Sequence, residues 1–145
     1  MGSWTLDRLD DVKDEMIEIT LLLRRAQLRK QTACELELAK WEMTLPQWGM
    51  LNAVATHPDS STHALALLTG QSDQAAGSVV TRLEQRGFVE RRNVRGKAIL
   101  HQATSEGIEM LGHCDQVVAQ TMRRALSGFS DHEVHELRDL LDRLG

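Results

Sequence analysis

Gln74, Gly77, Ser78, Thr81 and Gln85 are spaced so that, with successive side chains about 100° apart around a helix axis, they share one face of a helix running from Ser72 to Arg86. Ala76, Val79, Val80 and Leu83 take the opposite face. The first surface is small, neutral and rich in hydrogen-bonding groups. It suits the edges of bases in a DNA major groove, where donors and acceptors carry the sequence. Gln74 is the strongest single reader, because its amide can donate to and accept from adenine in bidentate fashion. An ordinary amphipathic surface helix has the same outline, so the residues that follow must decide between the two readings. From Arg82 to Lys97 there are six basic residues, Arg82, Arg86, Arg91, Arg92, Arg95 and Lys97, against Glu84 and Glu90. That is a local charge of +4 in a chain whose net charge is −4. A basic segment in an otherwise acidic protein marks one place where a polyanion docks.

Other candidates for chemistry are fewer. Cys34 and Cys114 form no CxxC pair, which removes a zinc ribbon and a thioredoxin-like centre and leaves reduced, buried cysteines as the expectation. A redox switch at Cys34, or an intermolecular disulfide through either cysteine, stays open as an alternative. His113 and Cys114 are adjacent, so on a regular helix they point about 100° apart and do not both reach one ion. His132 and His135 share a helix face but lack an evident third ligand. Surface or capping roles are expected for these histidines, and no metal. No Ser-His-Asp spacing, phosphate-cradling glycine loop or metal-ligand cluster appears, so the chain reads as a non-enzyme without a cofactor.

The elements that must position the reading face can be taken in order. Leu6 to about Lys40 has no proline or internal glycine and is rich in strong helix formers, which predicts one long helix. Met16, Ile19, Leu23 and Ala26 form a narrow apolar stripe along it, of the kind that packs against partner helices. Thr44 and Gln47 make a capping box with Pro46 in the first turn, and the helix they open ends at His57-Pro58-Asp59-Ser60. Ser61 or Thr62 caps a short helix through Leu68, Thr69-Gly70-Gln71 is the turn, and Ser72 caps the reading helix. Gly87 closes that helix in a left-handed conformation. Phe88 to Arg92 and Lys97 to His101 are strand-like, with a tip at Asn93-Val94-Arg95-Gly96. Thr104 or Ser105 opens a long helix in which Ile108, Leu111, Val118, Met122 and Ala125 repeat and Asp115 occupies the skipped place. Ser130 and Glu133 form a second capping box, for a last helix carrying Val134, Leu137, Leu141 and Leu144.

At 145 residues, 41% hydrophobic and 26% charged, the chain suits one soluble domain whose core is aliphatic, since aromatic residues make only 3%. No apolar run approaches the roughly 20 residues that cross a bilayer, and the opening residues lack the plan of a signal peptide. A cytoplasmic location and no membrane partner are the expectation. Met1-Gly2 invites a myristoylation reading that Leu6, in place of Ser or Thr, does not support; Gly2-Ser3 equally suits a cloning remnant.

The fold class implied is mainly α with a small β-hairpin wing, a winged helix-turn-helix with long terminal dimerisation helices. The segment Leu65-Ala66, Ser72, and Arg82-Leu83-Glu84-Gln85-Arg86-Gly87-Phe88-Val89-Glu90-Arg91 resembles the MarR family of transcriptional regulators, whose signature includes an "LA" helix and "LExxGxVxR". Thr104-Ser105-Glu106-Gly107 is similar to the family's "LTxxG" after the wing. The resemblance covers nearly the whole chain. It implies one domain over 1–145, with a DNA-binding lobe at about 44–103 and dimerisation helices at about 5–40 and 104–144. It also implies a homodimer presenting two recognition helices to a pseudo-palindromic operator in double-stranded DNA. Such helices lie about 34 Å apart, one DNA turn.

On that resemblance, Ser72, Gln74, Ala75 and Ser78 read bases, with Thr81 and Arg82 nearer the DNA backbone; Gly77, costly in a helix interior, is accounted for by close approach of its backbone to DNA or equally by a packing accommodation. Arg95 is similar to the family's minor-groove arginine, and Arg91, Arg92 and Lys97 neutralise phosphates. Three departures bear on the carry-over. Asn93 stands where the family usually has Asp, Ser78 where it often has Arg, and Thr69 where it has Leu, a change that Leu68 is expected to compensate. Many relatives are released from DNA by a small aromatic acid or phenol. In this chain Cys34, Leu38, Trp41, Met43, Trp48 and His113 are the residues expected to border such a cleft, with core packing of Trp41 and Trp48 as the competing reading. The leading function is thus a dimeric DNA-binding regulator, a repressor released by an effector. A metal- or redox-responsive regulator and a winged-helix adaptor that binds no DNA are the alternatives.

Overall fold

The computed structural model describes residues 14–93, 96 and 99–145. The chain divides into two units, Met1–Ala33 and Cys34–Gly145. The described part of the first is helical and has no buried residue, and it leaves Met16, Ile17, Ile19, Leu21, Leu22, Leu23 and Leu28 exposed. It belongs to helix α1, Glu15–Leu38, which leads into a short 3-10 turn, Ala39–Trp41. The expected start of that helix at Leu6 lies outside the described residues.

In the second unit the order is α2 (Leu45–Thr56), β1 (Ser60–Ser61), α3 (Thr62–Thr69), α4 (Asp73–Gln85), β2 (Val89–Asn93), β3 (Ile99–Ala103), α5 (Ser105–Ala125) and α6 (Asp131–Leu144). Each helix starts where a side-chain oxygen satisfies an orphan backbone N–H. Thr44 and Ser130 make complete capping boxes with Gln47 and Glu133. Ser61, Ser72 and Thr104 accept from Ala64, Ala75 and Gly107. At the other end of α4, Gly87 takes φ +79°, and the N–H groups of Phe88 and Gly87 donate to Leu83 and Glu84 carbonyls, both at 3.0 Å. This paired bonding is the left-handed stop that a glycine permits without steric cost.

The hairpin runs two residues later than the sequence pattern suggests at its far end and one later at its start. Phe88 is spent on the helix stop, so β2 begins at Val89. β3 continues to Ala103, because the Thr104 N–H donates to the Phe88 carbonyl at 3.0 Å and the strand passes directly into the helix cap. The sheet has three strands in the order β1-β3-β2, all antiparallel, with Arg91 opposite His101 and His101 opposite Ser60. β1 is an element the sequence pattern does not reveal.

The core of this unit joins Cys34, Leu38, Met43, Met50, Leu51, Val54, Leu65, Ala66, Ala76, Val80, Leu83, Val89, Leu111 and Cys114. Fully burying an aliphatic side chain of this kind contributes about 1.5–3 kcal/mol. Gly107 closes the assembly: a Cβ there would sit 2.1 Å from the Phe88 carbonyl oxygen. Only a residue without a side chain lets the first turn of α5 pass the end of the wing. Among the described residues no helix is long and apolar enough to cross a membrane.

Candidate nucleic-acid interface

Helices α3 and α4 are joined by Gly70, at φ +68°, and Gln71, whose N–H donates to the Ala66 carbonyl at 3.0 Å. Ala76, Val80 and Leu83 anchor α4 in the core, and Val79 packs against it partly buried. Gln74, Ala75, Ser78, Thr81, Arg82 and Gln85 are left exposed along the other side. The sequence-derived face is therefore the solvent-facing one. Ser72 is also exposed, but its hydroxyl oxygen already accepts from the Ala75 N–H at 3.1 Å, so it acts first as a cap.

Gly77 is only half-buried, and an added Cβ there would meet nothing nearer than Thr62 Cγ2 at 3.9 Å. Packing inside the protein does not require this glycine. Thr69 donates its hydroxyl to the Leu65 carbonyl at 2.8 Å, a local bond within α3. Leu68 does not compensate for it: that side chain is 49% exposed, and Leu67 is 72% exposed. At the N-terminus of α4, Asp73 pairs with the His63 ring at 2.9 Å, a contact between the two helices that the sequence does not signal.

The basic segment is less free than its composition suggests. Arg86 turns inward, donating to the Glu42 carbonyl at 2.5 Å and the Trp41 carbonyl at 3.3 Å, and its guanidinium lies 4.9 Å from the Phe88 ring centroid. Its charge is used to hold the chain between the 3-10 turn and α2. Arg91 donates to Glu84 at 2.9 Å, and Arg92 pairs with Asp59 at 3.4 Å, both while staying half exposed. Arg95 and Lys97 lie outside the described residues.

Beneath the wing sits a buried polar cluster. His101 is 2% exposed, with Nε2 3.0 Å from the Thr62 hydroxyl and Nδ1 3.2 Å from Glu84 Oε1. The second contact is close but off the line of an N–H bond, so both Nδ1 and Oε1 are buried without a hydrogen bond. Burial holds the His101 pKa below the usual imidazole range, with Glu84 opposing that shift. Sequence reasoning did not single out His101, since its buried position in β3 is set by a strand pairing with β1.

Of the residues expected to border an effector cleft, Cys34, Leu38 and Met43 are packed inside the core, at most 2% exposed. They do not form open walls, because they pack into the core cluster with Met50, Leu51 and Cys114. Trp48 is half-buried and donates its indole N–H to Asp115 at 2.8 Å, tying α2 to the polar gap in the α5 stripe. Trp41 stacks on His113 with ring centroids 4.4 Å apart. An open hollow of about 280 Å³ lies elsewhere, lined by Glu37, Gln116, Val117, Gln120, Thr121 and Arg124. Burial pushes the Cys114 thiol up to about 11, and no metal-binding group of His, Cys, Asp and Glu occurs among the described residues.

Residues 41–98 match the model of the MarR family. Several solved structures share the fold. A transcriptional regulator of the MarR family from Rhodococcus sp. RHA1 is 22% identical and superposes with a TM-score of 0.83 over 98% of this chain and 96% of its own. The Mycobacterium tuberculosis MarR family protein Rv2887, in complex with p-aminosalicylic acid, is 24% identical with a TM-score of 0.75, covering 87% of this chain and 97% of its own. A mutant Escherichia coli MarR complexed with operator DNA is 21% identical with a TM-score of 0.79, covering 90% of this chain and 96% of its own. No curated protein sequence matches.

Proposed function

We propose that the chain, whose residues 41–98 match the MarR family model, is a homodimeric regulator of that family that binds a pseudo-palindromic DNA operator. The observation that carries this reading is the division of α4. Its apolar side is locked in the core while Gln74, Ser78, Thr81 and Arg82 stand free on the other, next to a hairpin that carries Arg91 and Arg92. A helix held in this way can lie in a major groove, with its first turns toward the bases and the hairpin along the backbone. The E. coli relative solved with operator DNA supports the same use of the fold.

In this reading Gln74 and Ser78 are the main readers, with Ser72 and Ala75 beside them and Gly77 allowing close approach. Thr81, Arg82, Arg91, Arg92, Arg95 and Lys97 serve the phosphates and the minor groove. Two copies pair through α1 and α6, where Met16, Leu21, Leu22, Leu140 and Leu144 are exposed among the described residues. The regulator acts as a repressor, and a small aromatic acid releases it, in keeping with the p-aminosalicylic acid bound by the M. tuberculosis relative. In this chain the stacked Trp41 and His113 offer the exposed aromatic surface for such a molecule.

A gel-shift titration against the DNA flanking the chain's own gene tests the reading. Specific binding is expected, and Gln74→Ala should weaken it by about 1–3 kcal/mol, the range of one lost bidentate base contact. Equal affinity for the flanking and for random DNA would overturn it.

A further inference from the structure

Glu84 is shared between the inside and the outside of the lobe. One carboxylate oxygen, Oε2, accepts from Arg91 Nε at 2.9 Å on the wing surface. The other, Oε1, is buried 3.2 Å from His101 Nδ1 without a hydrogen bond. His101 in turn meets Thr62 through Nε2. Four elements thus converge on two orphaned atoms: α3 through Thr62, α4 through Glu84, β2 through Arg91 and β3 through His101. Each such unsatisfied buried group is destabilising, because it has given up its water without gaining a partner. A proton on the imidazole would set a positive charge directly against the buried carboxylate oxygen.

The geometry points to His101 as a positioning residue for DNA binding: acting through Glu84, it decides whether Arg91 is held on the end of the recognition helix or released to a DNA phosphate. The inference rests on the DNA-binding reading above.

With His101 neutral, Glu84 and Arg91 offset one another and this corner of the wing carries no net charge. When the imidazole takes one proton from solvent, Nδ1–H and Nε2–H both become donors. The Glu84 carboxylate then faces a full positive charge on its inner side. Its hold on Arg91 is divided, the cluster gains a charge of +1, and the half-exposed guanidinium can turn outward. The other charged groups nearby do not take over this role. Asp59, just before β1, donates its N–H to the His101 carbonyl, while its carboxylate is engaged by Arg92 and Gln102. β1 faces His101 through Ser60, which does not titrate in this range. DNA, bringing phosphates to the same surface, would favour the protonated form, so binding and proton uptake are linked.

Fluorescence anisotropy with a duplex selected from random sequence, run from pH 7.5 to 5.5 at about 0.1 M salt, tests this with three full-length proteins. For the wild type, affinity should rise on acidification by a His101 contribution of at most about tenfold per pH unit per protomer. His101→Gln, which can still hydrogen-bond to Thr62 but does not titrate, should lose that contribution and stay at the high-pH affinity. Glu84→Gln should also lose it yet bind more tightly at pH 7.5, by roughly threefold or more, as expected for one further phosphate contact. A merely structural role would weaken both variants and leave the slope unchanged. Parallel slopes in all three proteins overturn the inference while leaving the DNA-binding reading intact, and no DNA binding by any of them overturns both. The His101 ring resonance, followed by NMR in the wild type, gives a second readout free of mutation. Its titration should move to higher pH on adding the duplex; an unmoved titration overturns the inference.

Discussion

The lobe between Thr44 and Thr104 and the helices α1 and α6 obey opposite rules. In the lobe nearly every large aliphatic residue that the sequence places on an inner face is buried, including Leu51, Leu65, Val80 and Leu83. In α6 no residue is buried, and Leu137, Leu140, Leu141 and Leu144 are exposed. The described part of α1 up to Ala33 behaves alike. One region finishes its own packing, and the other presents helices whose apolar side chains stay exposed among the described residues. The difference teaches that capping and propensity suffice to form a helix, as Ser130 and Glu133 do for α6, but not to bury it.

The comparison breaks most sharply at Gly107. Gly107→Ala places a methyl group against the Phe88 carbonyl and should cost about 4 kcal/mol or prevent folding, at the upper end of single-site effects. Denaturant unfolding measures it, and a loss below about 1 kcal/mol would mean that α5 is not held against the wing. Leu51→Ala in the lobe should cost about 3 kcal/mol of stability. Leu141→Ala should leave the unfolding of the dilute single chain unchanged, yet weaken dimerisation by about 2 kcal/mol, roughly 30-fold. Sedimentation of the two variants separates these outcomes.

Gly77 sharpens the contrast from the other side. Gly77→Ala has room for its methyl, so it should stabilise α4 by about 1 kcal/mol while reducing DNA affinity. Unchanged affinity would remove the close approach assigned to that residue. A smaller effect is set by pH. The folded chain holds the His101 proton more weakly than the unfolded chain does, so this group's contribution to stability is present above the ordinary imidazole range. It is lost progressively as the pH falls below about 6.5 toward the lower folded-state pKa. Thermal melts of wild type and His101→Gln should converge in shape once that residue no longer titrates; identical pH profiles would show that His101 is not buried in solution.

What the sequence disclosed was local. Thr44 with Gln47, Ser72, Gly87, and Ser130 with Glu133 specify their helix ends through neighbours no more than a few residues away, and each stands as read. The outer and inner faces of α4 were legible because helical periodicity alone defines them. The misses all depend on distant partners. β1 exists only because Ser60 and Ser61 pair with His101 and Leu100. Arg86 looked like part of a phosphate-binding run, and only the fold shows it spent on the carbonyls of Trp41 and Glu42. Asp115 was visible as a gap in an apolar stripe, but its Trp48 partner was not. Cys34, Leu38 and Met43 have the composition of a binding cleft and the burial of a core, a distinction no spacing encodes.

The most direct test of the account is a stoichiometric titration of a selected duplex containing one two-fold site, at concentrations well above the dissociation constant. The account predicts a sharp break at two chains per duplex, with an affinity that falls steeply as salt is raised. A break at one chain per duplex, or binding that does not distinguish this duplex from random DNA, would contradict it.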